Sequence, residues 1–290
     1  MKIKKILRSG ILRMGIVAVG MVIGTGIQAA YHSPADTVTA LKIIEDFKEP
    51  GGNPAKLMGP IAERFIDVSY YPVTKNDTLG IGELRLDGVD EMSLISVVAG
   101  LARTATSPGH KRPVDCEVAI NEFTFRRGEP NGFASRMIYG ADWALDTKAR
   151  GLVKELTETY SDQFRTKSLD KVTRNRNQYA ALNDSATYEA QRMVEMGFRT
   201  HKIPHMKRES TEWKQVAEDL QDGDILMLLT PEVTTDTYEI GILRERPDGL
   251  HFIHVSQHEG KVVEEKEPIG RYIRRNAKKI YGYRWLRLAQ

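Results

Sequence analysis

Apolar side chains recur with a helical period over the first third of the chain and alternate with polar ones over the last quarter. Between Ala35 and Ser69, Leu41, Ile44 and Phe47 fall three apart. Leu57, Ile61 and Phe65 fall four apart, beyond a Glu49-Pro50-Gly51-Gly52-Asn53-Pro54 break. That spacing predicts two helices joined by a turn. Asp90-Glu91 opens a third helix through Leu94, Val98, Leu101 and Ala102, ending near Ser107-Pro108-Gly109. Val114 to Phe125 and Thr187 to Gly197 predict two more. Ser135 to Tyr160 reads as mixed, with Tyr139 and Trp143 packed.

The pattern changes at Gly223. Ile225–Leu229, Thr237–Arg246, Leu250–Ser256, Lys261–Glu265 and Tyr283–Leu288 are short apolar or alternating runs, separated by turn signals such as Arg246-Pro247-Asp248-Gly249 and Glu259-Gly260. They predict an antiparallel meander, interrupted by one helix from Pro268 to about Lys279. Its apolar positions would be Ile269, Ile273 and Ala277, under a charged outer face. Helices first and an antiparallel sheet last make an α+β arrangement. No linker or repeat divides the chain, so residues 31–290 are expected to form a single domain, with a mainly helical lobe over 31–222 and a β lobe over 223–290.

The amino terminus stands apart from this pattern. Lys2, Lys4, Lys5, Arg8 and Arg13 precede an uncharged run from Gly15 to Ile27, and Gln28-Ala29-Ala30 follows. A charged region, a short apolar run and a small-residue exit are the marks of an export signal. The run falls short of the roughly 18 apolar residues that span a bilayer. Residues 1–30 are therefore expected to be a cleaved signal, with an uncleaved anchor as the rival because Ile27 fits a cleavage site poorly. The mature chain would be periplasmic or secreted, bacterial, and without an integral span. Oligomeric state is left open.

Charge and composition then narrow the chemistry. Without the five amino-terminal cations, 37 basic residues face 39 acidic ones, so the net charge of +3 gives no case for nucleic acid. One cysteine excludes an internal disulfide framework and a Cys-rich metal site. Gly80, Gly82 and Gly88 match no phosphate cradle, so no nucleotide cofactor is implied. His110, His201, His205 and His258 read as surface residues, and Pro204 breaks any helical register between His201 and His205. Lys171-Val172-Thr173-Arg174-Asn175-Arg176 reads as a solvated basic loop.

Several segments, in order, carry a resemblance. Arg126-Arg127-Gly128, then Gly132 through Trp143 with its Ser135-Arg136, Tyr139 and Asp142-Trp143, are followed by Asp222-Gly223-Asp224-Ile225, Thr237 through Ile242 and Leu250 through Ser256. Together they resemble the N-acetylmuramoyl-L-alanine amidase-like family, a branch of the papain-like NlpC superfamily of bacterial cell-wall hydrolases. The resemblance implies a papain-like, two-lobed α+β domain with helices packed on an antiparallel sheet or partial barrel. It also implies a peptidoglycan or muropeptide substrate, a cysteine nucleophile at a helix start, a histidine base on a strand, and no cofactor. Such a helix start lowers a thiol pKa, and a neighbouring imidazole completes its activation. It further places Tyr70, Arg136, Tyr139, Trp143 and Ser256 in substrate binding.

The family's catalytic positions are substituted here. Its L-D-C run aligns without gaps on Val89-Asp90-Glu91, so Glu91 stands at the nucleophile position and Glu239 at the base position, while His254 keeps the third. Val114-Asp115-Cys116 offers a rival nucleophile, but it lies nineteen residues before Ser135, too near the Ser-Arg block for that role. Glu91, Glu239 and His254 admit three readings. In the first the site is catalytically inert, Glu91 adds only the 0.3–1 kcal/mol or so of a first-turn carboxylate, and the protein is a muropeptide-binding or regulatory pseudoenzyme. In the second the three side chains ligate a divalent metal. In the third a carboxylate pair shares a proton and hydrolyses an amide or glycosidic bond by acid–base chemistry without metal. A partner or regulator of another envelope enzyme is the remaining alternative.

Overall fold

A computed structural model of the chain describes residues 34–72, 85–109, 111–208 and 213–290. The export signal expected over residues 1–30, and His110, lie outside the described residues. Five helices precede most of the sheet: α1 (Pro34–Asp46), α2 (Pro54–Glu63), α3 (Glu91–Thr106), α4 (Pro113–Thr124) and α5 (Gly140–Ala149). α6 (Ser185–Gly197) follows, and α7 (Ile269–Arg275) is shorter than the expected helix because the backbone leaves the helical form at Asn276.

Among the described residues the strands are β1 (Ser69–Tyr70), β2 (Gly88–Val89), β3 (Val153–Glu155), β4 (Phe164–Arg165), β5 (Ile203–Pro204), β6 (Met206–Lys207), β7 (Ile225–Leu229), β8 (Thr237–Arg246), β9 (Gly249–Ser256), β10 (Lys261–Glu264) and β11 (Gly282–Leu288). The main sheet runs β2-β1-β10-β9-β8-β7-β11-β3, with β6 also on β11, while β4 and β5 pair separately. The expected meander forms its centre. Four further strands come from before residue 223, and β1 and β2 run parallel. Two- and three-residue strands carry no readable period, so only pairing reveals them.

The sheet is a partition between two cores. All five residues of β7 are buried: Ile225, Met227 and Leu229 face the helices α1–α5, and Leu226 and Leu228 face α7. A central strand covered on both faces reads as a continuous apolar run because neither parity meets water. On the helical side α3 is the hub, with thirteen of its sixteen residues buried. Its crossing with α4 depends on Gly100, where a Cβ would stand 2.4 Å from Ile120 Cγ1 and 2.7 Å from the Ile120 backbone. Glycine inside a helix costs up to about 1 kcal/mol against alanine, and here the close approach decides. On the α7 side, Gly241 leaves room for the Phe252 ring, which stacks on His254 at 5.0 Å. A third cluster, with Phe133, Tyr139, Val172, Tyr179 and Phe198, packs the segment that carries α6. His205 belongs to the interior, in correction of its surface reading. It is 6% exposed and meets the Tyr281 ring edge-on at 5.3 Å.

Candidate functional site

The tip of α3 is built locally. Asp90 takes the N-cap with extended backbone (φ −99°, ψ 179°), accepts from the Ser93 amide at 2.7 Å, and donates its own amide to Ser93 Oγ at 2.7 Å. That capping box fixes Glu91 as the first helical residue. The Arg136 guanidinium, itself buried, lies 3.6 Å from the other Asp90 oxygen, so the Ser-Arg block is anchored to the start of α3. The rest of that block is structural as well. Arg126 makes paired contacts of 3.1 and 2.5 Å with Asp142 and donates to the Ala134 carbonyl at 2.6 Å.

Glu91 opens onto a cleft of about 400 Å³, lined also by Tyr70, Asp90, Arg136, Tyr139, Lys171, Gln178, Tyr179, Thr237, Glu239 and Gln257. Gln257 Nε2 donates to Glu91 Oε1 at 2.6 Å. Burial, reinforced by the Asp90 charge, pushes the Glu91 carboxyl above its ordinary value, against the pull of Gln257 and Lys171. Tyr70 is pushed up to about 12 by burial and by Glu91 and Asp90, so its phenol stays neutral. Lys171 lies exposed at the rim and has no carboxylate within ion-pair distance among the described residues.

The opposite wall comes from the sheet. His254 pairs across from Gly241, two residues beyond Glu239 on β8, so Glu239 and His254 are diagonal neighbours on one face. Glu239 Oε1 lies 3.9 Å from His254 Nδ1, and its other oxygen accepts from the Tyr272 hydroxyl of α7. His254 Nε2 lies 3.1 Å from Glu265 Oε1, and Arg275 holds Glu265 at 2.9 Å. Burial raises Glu239, and His254 and Tyr272 offset only part of that rise. Burial would raise Glu265 too, but the bonds from His254 and Arg275 outweigh it and hold that carboxyl below its ordinary value. An ionised Glu265 accepts only, so Nε2 carries the imidazole proton. Nδ1 is buried without a hydrogen bond.

The structure therefore brings Glu91, Glu239, Tyr70, Arg136 and Tyr139 into one cleft, with His254 immediately behind Glu239. Trp143 does not reach it: the ring is fully buried and stacks on Phe123 at 6.2 Å. Ser256 caps a turn by accepting from the Glu259 amide, and the next residue, Gln257, lines the cleft instead. Tyr139 contributes mainly as a brace. Its hydroxyl donates to Glu195 at 2.7 Å and accepts from the Val172 amide at 3.0 Å, which holds the short Lys171–Arg174 helix at the rim. Lys171 thus belongs to the site, in correction of its reading as part of a solvated loop; Gln178, Tyr179 and Gln257 carried no sequence signal. Cys116 lies inside α4, fully buried and outside the cleft. Among the described residues no group of three or more His, Cys, Asp or Glu side chains is placed to hold a metal ion. No helix among them is long and apolar enough to cross a membrane.

Helices α1–α5 on one face of a mixed sheet and α7 on the other, with a polar cleft at the tip of α3, make an α+β scaffold. The model of the N-acetylmuramoyl-L-alanine amidase-like family matches residues 74–280, and the chain belongs to that family. Comparison with curated protein sequences gives no match. Among solved structures, it resembles an N-acetylmuramoyl-L-alanine amidase from Bacteroides uniformis, with a TM-score of 0.71 at 22% identity over 82% of this chain and 100% of that one. It also resembles protein LPG0564 from Legionella pneumophila, with a TM-score of 0.65 at 14% identity over 90% of this chain and 96% of that one. Both likenesses are of fold.

Proposed function

We propose that this protein is an exported, papain-like member of its family that recognises peptidoglycan peptides without thiol catalysis. One observation carries the reading: the side chain at the cleft's helix tip is the Glu91 carboxyl, while the sequence's single thiol, Cys116, is fully buried in α4. A carboxylate in that place lacks the nucleophilicity of a thiolate, and with Glu239 in front of His254 no imidazole lines the cleft among the described residues. Peptide recognition needs neither, and the cleft offers carboxyls, phenols and amides for it.

A second reading is favoured by the pair of raised carboxyls in one cleft. One held neutral and one ionised would make an acid–base hydrolase of the same substrate. Purified mature protein incubated with sacculi, with and without chelator, separates the two when soluble fragments are followed by mass. Recognition predicts co-sedimentation with sacculi and no fragments. Fragments that disappear in Glu91→Gln would establish the hydrolase, and fragments lost only in Cys116→Ala would restore the thiol. Neither fragments nor co-sedimentation, with a co-purifying envelope protein, would make it a regulator.

A further inference from the structure

Charge is shared unevenly along the chain. Residues 164–208 carry ten basic side chains against four acidic ones, whereas the rest of the sequence beyond residue 30 carries 27 against 35. Part of that excess gathers in one place. Arg174, Arg192 and Arg199 line a depression of about 190 Å³ between the short Lys171–Arg174 helix and α6. Arg176 lies over the ring of Tyr188, 4.5 Å from its centre, on the same wall. Asp170 and Glu189 reach Arg174 and Arg192 at 2.8 and 2.7 Å, but the two arginine side chains remain 65% and 44% exposed. Arg199 is exposed, with no carboxylate within ion-pair distance among the described residues. The buried Glu195 carboxyl turns inward, to Tyr139 and Thr173.

The same helix is inverted in its apolar pattern. α6 buries Gln191 and Glu195, while Met193 and Met196 are 60% and 38% exposed. A helix that only packs on a core turns its large apolar side chains inward. The two methionines lie three apart and so share one face, and Arg192 and Arg199 flank them. Apolar side chains rimmed by cations match the boundary where lipid phosphates meet acyl chains. A soluble polyanion would engage the arginines and leave the methionines in water; an apolar protein surface would leave the arginines unmatched.

We propose that the outer face of α6 docks on an anionic lipid surface, with lipid phosphates on Arg174, Arg192 and Arg199 and the Met193 and Met196 side chains among the first acyl carbons. The proposal is independent of peptide recognition and adds an orientation to it. Lys171, on the short helix that ends at Arg174, belongs to the cleft's rim, so docking places that rim beside the lipid.

Sedimentation of the full chain with phosphatidylcholine vesicles, with and without phosphatidylglycerol, tests this. Wild type should bind the anionic vesicles at least tenfold more tightly than the neutral ones, and added salt should weaken that binding. One cation near such a surface contributes roughly fivefold, so Arg192→Glu with Arg199→Glu should erase most of the preference. Met193→Ser with Met196→Ser should weaken binding several-fold and keep the preference for anionic lipid. Lys56→Glu, an exposed charge reversal on α2, should cost far less than the arginine pair. All variants share one amino terminus, so differences between them report α6. Equal affinity for neutral and anionic vesicles, or a Lys56→Glu loss as large as that of the arginine pair, overturns the proposal. Full competition by inorganic phosphate, with the methionine pair silent, makes the depression a soluble-anion site and overturns the lipid surface. None of these substitutions touches the cleft, so all variants should match wild type on lipid-free sacculi, and failure of docking is distinct from failure of recognition.

Discussion

Two helix starts in this protein carry nearly the same three residues, Val89-Asp90-Glu91 and Val114-Asp115-Cys116, and present their third side chain to opposite surroundings. In α3 the aspartate is the cap, so Glu91 is the first helical residue and faces the cleft. In α4 the helix begins earlier, because Pro113 occupies its first position. Asp115 therefore lies in the third position and folds back on Arg112, with contacts of 2.9 Å to its amide and 2.7 Å to its guanidinium. Cys116 falls one residue further in, where the side chain turns to the interior. A three-residue string does not fix exposure; the residue that takes the cap does.

The largest effect should separate the two aspartates. Asp90→Ala removes a cap, worth about 1 kcal/mol, and strands the buried Arg136 charge, for a total of about 3 kcal/mol or more. Asp115→Ala, at an exposed ion pair, should cost far less. Urea midpoints measure both, and equal losses would show that the two helix starts do not differ as described. Next comes the α3–α4 crossing, where Gly100→Ala should destabilise by about 2 kcal/mol because the methyl meets both Ile120 Cγ1 and the Ile120 backbone, which cannot swing away. A neutral result would mean the helices can part freely.

A smaller effect follows from Glu117, next to Cys116 on α4, which burial lifts to about 7 with one oxygen lacking a partner. A raised carboxyl favours the protonated fold, so its penalty is absent below the ordinary value of 4.5 and complete above about 7. Glu117→Gln should match wild type at pH 4 and exceed it by roughly 1 kcal/mol at pH 8, partial solvation keeping the gain that small. A pH-independent difference would refute the assignment. Smallest should be Glu91→Gln in the unliganded protein. Its carboxyl is raised in the same sense, so wild type should lose stability relative to the variant as pH rises from 4.5. The helix start and Gln257 moderate that slope.

The main helices and the five long strands follow from periodicity because burial on one face leaves a period in the chain. Glu91 at a helix start was equally legible, since a cap and its partner lie three residues apart. The cleft was legible only where it coincides with such local signals. Gln257 lines the cleft and Ser256, one position away, does not, because a turn at the end of β9 decides which of the two reaches inward. Trp143 belongs to a motif whose real work is packing, with Arg126 and Asp142 holding the block together. Lys171 looked like a loop cation until Tyr139 and Glu195 placed its helix at the rim.

One thiol, a carboxyl directly after the cap of α3, and helices ahead of a sheet can all be read along the chain. Those are properties of composition and of neighbours within a few residues. Folding in three dimensions is what puts Glu91 and Glu239 on one cleft, His254 behind one of them, and Cys116 in the interior. Desolvation and charge balance depend on which distant segments close around a group, and that closure is set by the pairing of β8 with β9 and the packing of α3 beneath them.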